Sequence, residues 1–333
     1  MNIFGFIIHP LNIDDVVNSC KIFRITPKWF LERSLKWSKP FKVCEAHLTP
    51  SIDEKIKGYF IGVPLLLRQM LSLDERLVLN KIISAVRIAE SLGAKIVGLG
   101  GFASVVGDKG ITIANRSRVP VTSGNTYTAY AVLKAVLDMT KVKGKNLKWS
   151  KVAIIGAGGS IGSLCARKLS FYASKIFLTA RHREKLEKLK ESILKLNSIE
   201  VIIEDDNNRA IRDADIVIIT TSSPQAILNI NDFKSGAIVC DVSLPKNIIG
   251  DIDSRKDVTF IEGGLIKIPF DIKYLGIGIG LPQNIMYACM AETILLCLEK
   301  RFEKFSLGDN INIEKLEEIG RISKRYGFEV MYQ

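Results

Sequence analysis

The chain has 333 residues, 47% of them hydrophobic and 25% charged, a balance that excludes an extended disordered protein and suffices for about two domains with their own cores. Lys and Arg outnumber Asp and Glu by 47 to 35, but the basic residues are interleaved with acidic ones, as in HREKLEKLKESILKLNS (182–198), which reads as a solvated helix face and argues against a nucleic-acid partner. No window approaches the ~20 apolar residues of an integral membrane segment, and MNIFGFIIHP lacks the parts of an export signal, so a cytoplasmic location is expected.

In chain order, NIFGFIIHP predicts a first strand and a helix follows from about Asp14. GYFIGVPLLL predicts an extended segment, and LDERLVLNKIISAVRIAESLG a long amphipathic helix. IVGLGGFASVV and SGNTYTAYAVLKAVLDM continue an α/β pattern up to the polar connector KVKGKNLKWS (141–150). Beyond it, KVAIIGA, KIFLTAR, EVIIED, ADIVIITTSS, AIVCDVSL and VTFIEGGLI alternate with helical stretches. Short Ile/Val runs between helices imply a parallel sheet buried on both faces. The expected fold class is therefore α/β: a Rossmann-type parallel-sheet domain (148–280) plus an N-terminal α/β domain (1–147), completed by C-terminal helices (281–333) that carry Cys289.

KVAIIGAGGSIG (151–162) is a strand, a tight turn and a helix start, with Gly156, Gly158, Gly159 and Gly162 at the turn and Ser160 and Ile161 opening the helix. Missing Cβ atoms let the backbone approach a pyrophosphate, and the helix N-terminus offers N–H donors. The next strand ends in Thr179, Ala180 and Arg181, with Arg183 just beyond, where an NAD site would carry a carboxylate. Guanidinium groups instead suit the 2′-phosphate of NADPH. Thr221, Ser222 and Ser223 lie at the carboxyl end of the fourth strand of this domain, where ligands bind in open parallel sheets.

Six cysteines (Cys20, Cys44, Cys165, Cys240, Cys289, Cys297) and three histidines are scattered without CxxC or HxxxH spacing, so reduced thiols and no metal site are expected. Cys289 lies in GLPQNIMYACMAETILLCLEK, a run that predicts a helix from about Pro282 or Gln283. Packing alone accounts for its position on that helix, so the residues by themselves leave open whether it is core or nucleophile.

The ordered set GLGGFAS, TSGNTYTAY, IIGAGGSIG, LTAR, LPKN, EGG and QNIMYACMAETILL resembles the aldehyde-forming long-chain acyl-[acyl-carrier-protein] reductases of the cyanobacterial type, nearly end to end. The resemblance implies an NADPH-dependent enzyme in which Cys289 takes the acyl group as a thioester before reduction to the aldehyde. The partner implied is acyl carrier protein, or coenzyme A, bearing a fatty acid. The chain departs from that family at DVSLPKN (241–247), where relatives have DGGYPKN. Ser123, Asn125 and Thr126, at a helix start, are candidate donors to the oxyanion or else caps of that helix. GYFIGVPLLLRQML (58–71) is a candidate lining for an acyl channel or else core. Competing expectations are a shikimate-dehydrogenase-like alcohol or ketone oxidoreductase and a non-catalytic nucleotide or acyl sensor.

Overall fold

The structure, a computed structural model, describes residues 2–19, 21–49, 55–277, 282, 284–308 and 311–332, and Cys20, Leu281 and Gln283 lie outside them. The chain divides into two compact units, Met1–Gly124 with Ile266–Gly308 and Ile322–Glu329, and Asn125–Leu265 with Asp309–Arg321 and Val330–Gln333. Both are α/β, as the alternating apolar runs predict.

In the first unit the described residues form a six-stranded sheet, ordered Ile272–Gly276, Phe41–Leu48, Ile56–Gly62, Asn2–Ile8, Ile96–Leu99 and Val121–Thr122. The last four run parallel, while Phe41–Leu48 is antiparallel to both of its neighbours. The helix Glu75–Ser91 begins at Asp74, whose carboxylate accepts the Leu77 N–H (3.1 Å) and so satisfies one of the helix's unpaired donors. Its buried face, Val78, Ile82 and Val86, packs with Ile7, Ile61 and Leu99. The apolar excess of residues 58–71 is accounted for in the same place: Tyr59, Ile61, Val63, Leu65 and Met70 belong to this core.

The second unit is a parallel sheet ordered Thr259–Glu262, Ile238–Asp241, Ile216–Ile219, Lys151–Ile155, Lys175–Thr179 and Glu200–Ile203. Strand order reverses between Lys151–Ile155 and Ile216–Ile219, which opens a crevice at their carboxyl ends. The helix Asn125–Val142 groups here, because Ala129, Val132, Leu133 and Val136 pack with Leu164, Cys165 and Cys240. The first division of the chain accordingly falls at Gly124, ahead of the polar connector. Of the final helix, Ile313–Arg325, the part through Arg321 groups with this sheet, and its Gly320 lies against the Tyr130 ring.

Candidate active site and dinucleotide turn

The turn after Lys151–Ile155 is shaped by backbone contact. Gly156 has φ +87°, and a Cβ there would stand 2.8 Å from the Thr221 nitrogen. At Gly162 a Cβ would meet the Gly156 carbonyl and the Thr220 hydroxyl, each at 2.6 Å. Thr220, which the sequence reading passed over, donates to the Ile155 carbonyl (3.1 Å) and so ties the turn to the neighbouring strand. The Thr179 carbonyl accepts from the Gly156 and Ala157 N–H groups at 3.0 and 2.9 Å. Thr179 therefore serves the turn through its backbone, and its own hydroxyl is buried without a hydrogen-bond partner among the described residues.

The helix Ser160–Leu169 opens at Gly159 with no side-chain cap and no acidic residue in its first turn. A glycine cradle before an uncapped helix start fits a pyrophosphate, since no carboxylate competes for the N–H groups. Arg181 is exposed and makes no ion pair among the described residues, whereas Arg183 grips Asp205 through two hydrogen bonds of 3.0 and 2.9 Å. Thr221 and Ser222 are half-buried at the crevice edge. Ser223 is spent on its own turn, donating to the Gln225 carbonyl and accepting the Gln225 N–H. Behind it, the buried Asp241 carboxyl accepts from Ser243 and from the Asn247 N–H, and burial raises its pKa.

Cys289 belongs to the first unit. Its helix runs Ala288–Leu298, preceded by a short strand Ile285–Tyr287, so the start expected near Pro282 or Gln283 is corrected to Ala288. The correction places Cys289 at the second position of the helix. Backbone groups of Met290, Cys289 itself and Gly101 act to lower the pKa of its thiol. Burial nevertheless pushes the thiol up to about 12, with the Glu292 carboxyl adding to the rise. Helix-terminus effects are worth up to about 1 kcal/mol, less than one pKa unit, so desolvation wins and the resting sulfur is protonated.

Three strand ends frame the start of the helix that carries this thiol. After Asn2–Ile8 comes His9, whose Nε2 accepts the Phe102 N–H (2.8 Å) while Nδ1–H donates to the Pro10 carbonyl (3.0 Å). Burial lowers the His9 pKa, so the ring is neutral and its acceptor nitrogen is engaged in holding the Gly101–Phe102 turn. After Val121–Thr122 comes Gly124, with φ +74°, where a Cβ would lie 2.3 Å from the Cys289 Cα and Cβ. The third end is Gly98–Gly101, and a Cβ at Gly98 would strike the Thr293 hydroxyl at 2.1 Å. Thr293 in turn donates to the Cys289 carbonyl (3.2 Å).

Beneath the thiol, the fully buried Glu292 accepts from the Thr122 hydroxyl and from the Ser306 hydroxyl (2.9 Å). Ser123 donates to the Ser306 carbonyl and takes part in this network. Asn125 and Thr126 open the helix Asn125–Val142, with Thr126 fully buried. His9, Gly101, Gly124, Glu292 and Ser306 were not singled out from sequence. Only the glycines left a signal, as members of GLGGFAS and TSGNTYTAY.

A family model described as shikimate / quinate 5-dehydrogenase matches residues 138–262. With the crevice and the glycine turn, it defines an NAD(P)-dependent oxidoreductase, and NADPH fits the residues present. Among particular proteins, the aminotransferase PigE of Serratia sp. is 31% identical over 290 residues, 86% of this chain but 34% of PigE, so the chain spans about a third of that relative. The long-chain acyl-[acyl-carrier-protein] reductase of Synechococcus elongatus is 29% identical over 310 residues, covering 88% of this chain and 89% of that one. A glutamyl-tRNA reductase of Picosynechococcus sp. is 28% identical over 203 residues, covering 58% of this chain and 46% of its own.

Proposed function

We propose that the protein reduces a fatty acyl thioester to the aldehyde with NADPH, through an acyl group held on Cys289. The observation that carries this reading is the setting of the sulfur: the second residue of a helix, partly accessible, and pressed by Gly124, which admits no side chain. A cysteine that only filled core would be enclosed, as the four other described cysteines are, whereas Cys289 is partly exposed. The near full-length likeness to the Synechococcus elongatus reductase supports the same assignment.

The chemistry follows from thiol exchange. The Cys289 sulfur bonds to the acyl carbon, the carbon–sulfur bond to the donor breaks, and the departing thiolate takes up the proton that Cys289 gives up. The net exchange is between two neutral thiols, so the raised pKa of Cys289 limits how often the attacking thiolate forms and leaves the balance of the exchange unchanged. The backbone groups that lower the thiol's pKa favour its anionic form when it attacks and again when it leaves. NADPH held at the glycine turn would supply a hydride, and Cys289 would release the acyl carbon as the aldehyde when its carbon–sulfur bond breaks. Glu292, Thr122 and Ser306 hold the helix start in place and carry no proton in this scheme. Binding of a long acyl tail draws on about 0.8 kcal/mol per buried methylene.

The test is Cys289→Ala, incubated with palmitoyl-acyl carrier protein and, separately, palmitoyl-coenzyme A, each with NADPH. The expected result is loss of the acyl mass adduct and of aldehyde, with NADPH still quenching or shifting in titration as in the parent protein. Continued aldehyde formation by the variant removes Cys289 from the reaction.

A further inference from the structure

All three tryptophans of the chain are largely exposed, Trp29 at 69%, Trp37 at 77% and Trp149 at 79%. Tryptophan is highly buried on average in folded chains, so this distribution needs a cause. Two of the three share one short element of the first unit, the helix Lys28–Trp37, with sequence KWFLERSLKW.

At about 100° per residue, Lys36, Trp29, Arg33, Trp37 and Phe30 fall in that order within roughly a third of the circumference. Leu31 and Leu35 occupy the opposite side, and Leu31 is buried. The outward stripe therefore mixes aromatic and basic side chains with no acid. Trp29 and Phe30 stack edge to face at 5.8 Å, and the Lys36 ammonium sits 5.7 Å from the Trp37 ring centre. Ile25, before the helix, is also exposed.

Nearby acids are already paired: Asp14 with Lys28 at 2.6 Å, and Glu32 with Arg68. Beside Trp37, a groove of about 560 Å³ is lined by Lys36, Lys39, Arg76 and Lys81 on the basic side and by Asp74 on the acidic side. The Asp74 carboxylate is turned to its own helix, accepting the Leu77 N–H. The Lys81 ammonium donates to the Ser38 carbonyl (2.5 Å), which leaves Lys36, Lys39 and Arg76 as the groove's outward cations.

We infer that this face docks on an anionic lipid bilayer, Trp29, Trp37 and Phe30 entering the headgroup boundary while Lys36, Lys39 and Arg76 meet lipid phosphates. Indole rings settle at that boundary because one edge is apolar and the other donates a hydrogen bond. Lysine stems extend along the apolar layer and keep their charge at the phosphates. An acidic protein is the other polyanion that suits the charge, but lysine is depleted in protein–protein interfaces, and here Lys36 edges the aromatic stripe and, with Lys39, lines the groove beside Trp37. This docking is independent of the reaction assigned to Cys289.

The full chain is tested by co-sedimentation with vesicles of phosphatidylcholine alone, and of three parts phosphatidylcholine to one part phosphatidylglycerol. Tryptophan emission is recorded in parallel. The parent protein is expected to bind the anionic vesicles, release as salt rises, and show a blue shift on binding. Trp29→Ala with Trp37→Ala should weaken partitioning at least about tenfold. Lys36→Glu with Lys39→Glu should cost about fivefold per reversed charge. Trp149→Phe should bind and shift as the parent does. Unchanged melting temperatures in all three variants exclude a folding defect. The inference is overturned if the parent ignores anionic vesicles, if the double tryptophan variant binds as well as the parent, or if the variants lose acyl carrier protein capture while no form binds vesicles.

Discussion

The dinucleotide turn and the thiol pocket solve one problem with different materials. Each brings backbone groups up to a ligand or a sulfur at the start of a helix, and each needs glycine where a Cβ would collide: Gly156 and Gly162 in one, Gly98 and Gly124 in the other. The turn's glycines and helix donors follow one another along a single strand and helix, braced by Thr179 and Thr220 from the adjacent strands. The pocket is assembled from residues 9, 98–101, 122–124, 289–293 and 306, which only the parallel sheet brings together. A local site can be tuned one residue at a time, whereas a composite one fails when any contributing strand end shifts.

The sharpest way to break the comparison is to place a methyl group in each cradle. Gly124→Ala forces a side chain onto Cys289 at φ +74°, and acyl-adduct formation should fall at least about a hundredfold, since ångström displacements of a reacting group cost that much. NADPH affinity, read by fluorescence titration, should not change. Gly156→Ala should do the converse, weakening NADPH about tenfold or more while the adduct still forms. If either variant loses both properties equally with an intact fold, the two sites are not separable in this way.

A smaller effect separates the two arginines. Arg181→Ala should weaken NADPH about tenfold and leave NADH unaffected, because a free guanidinium is available to the 2′-phosphate. Arg183→Ala should change NADPH binding by less than about threefold, its guanidinium being engaged by Asp205. Equal losses in the two variants would put the phosphate on both.

The mildest probe is the ionisation of the thiol. With Cys289 held at about 12, alkylation by iodoacetamide should climb about tenfold per pH unit from roughly pH 7 to pH 10 without levelling, since only the thiolate reacts. An unshifted thiol would level off within that window. Glu292→Gln removes a charge that raises the thiol's pKa, so alkylation at pH 8 should quicken by about a few-fold. A slower rate would mean that the carboxyl acts on Cys289 by some route other than its charge.

The turn was legible because its glycines, the preceding apolar strand and the following helix are contiguous, and Arg181 marks the end of the next strand. The role proposed for Cys289 came with the resemblance, since helical periodicity alone fits packing. The start of its helix was misread for a physical reason. The run 285–291 carries no charged residue, and neither periodicity nor a Ser, Thr, Asp or Asn cap separates the strand Ile285–Tyr287 from the helix that begins at Ala288. His9 and Glu292 had no legible role, because each acts through a partner more than ninety residues away in sequence, Phe102 and Thr122 respectively.

A sulfur that keeps its proton at rest is also a poor target for peroxides, whose attack requires the anion. If Cys289 acts as proposed, its exposure to oxidants is confined to the intervals of turnover in which the thiolate exists.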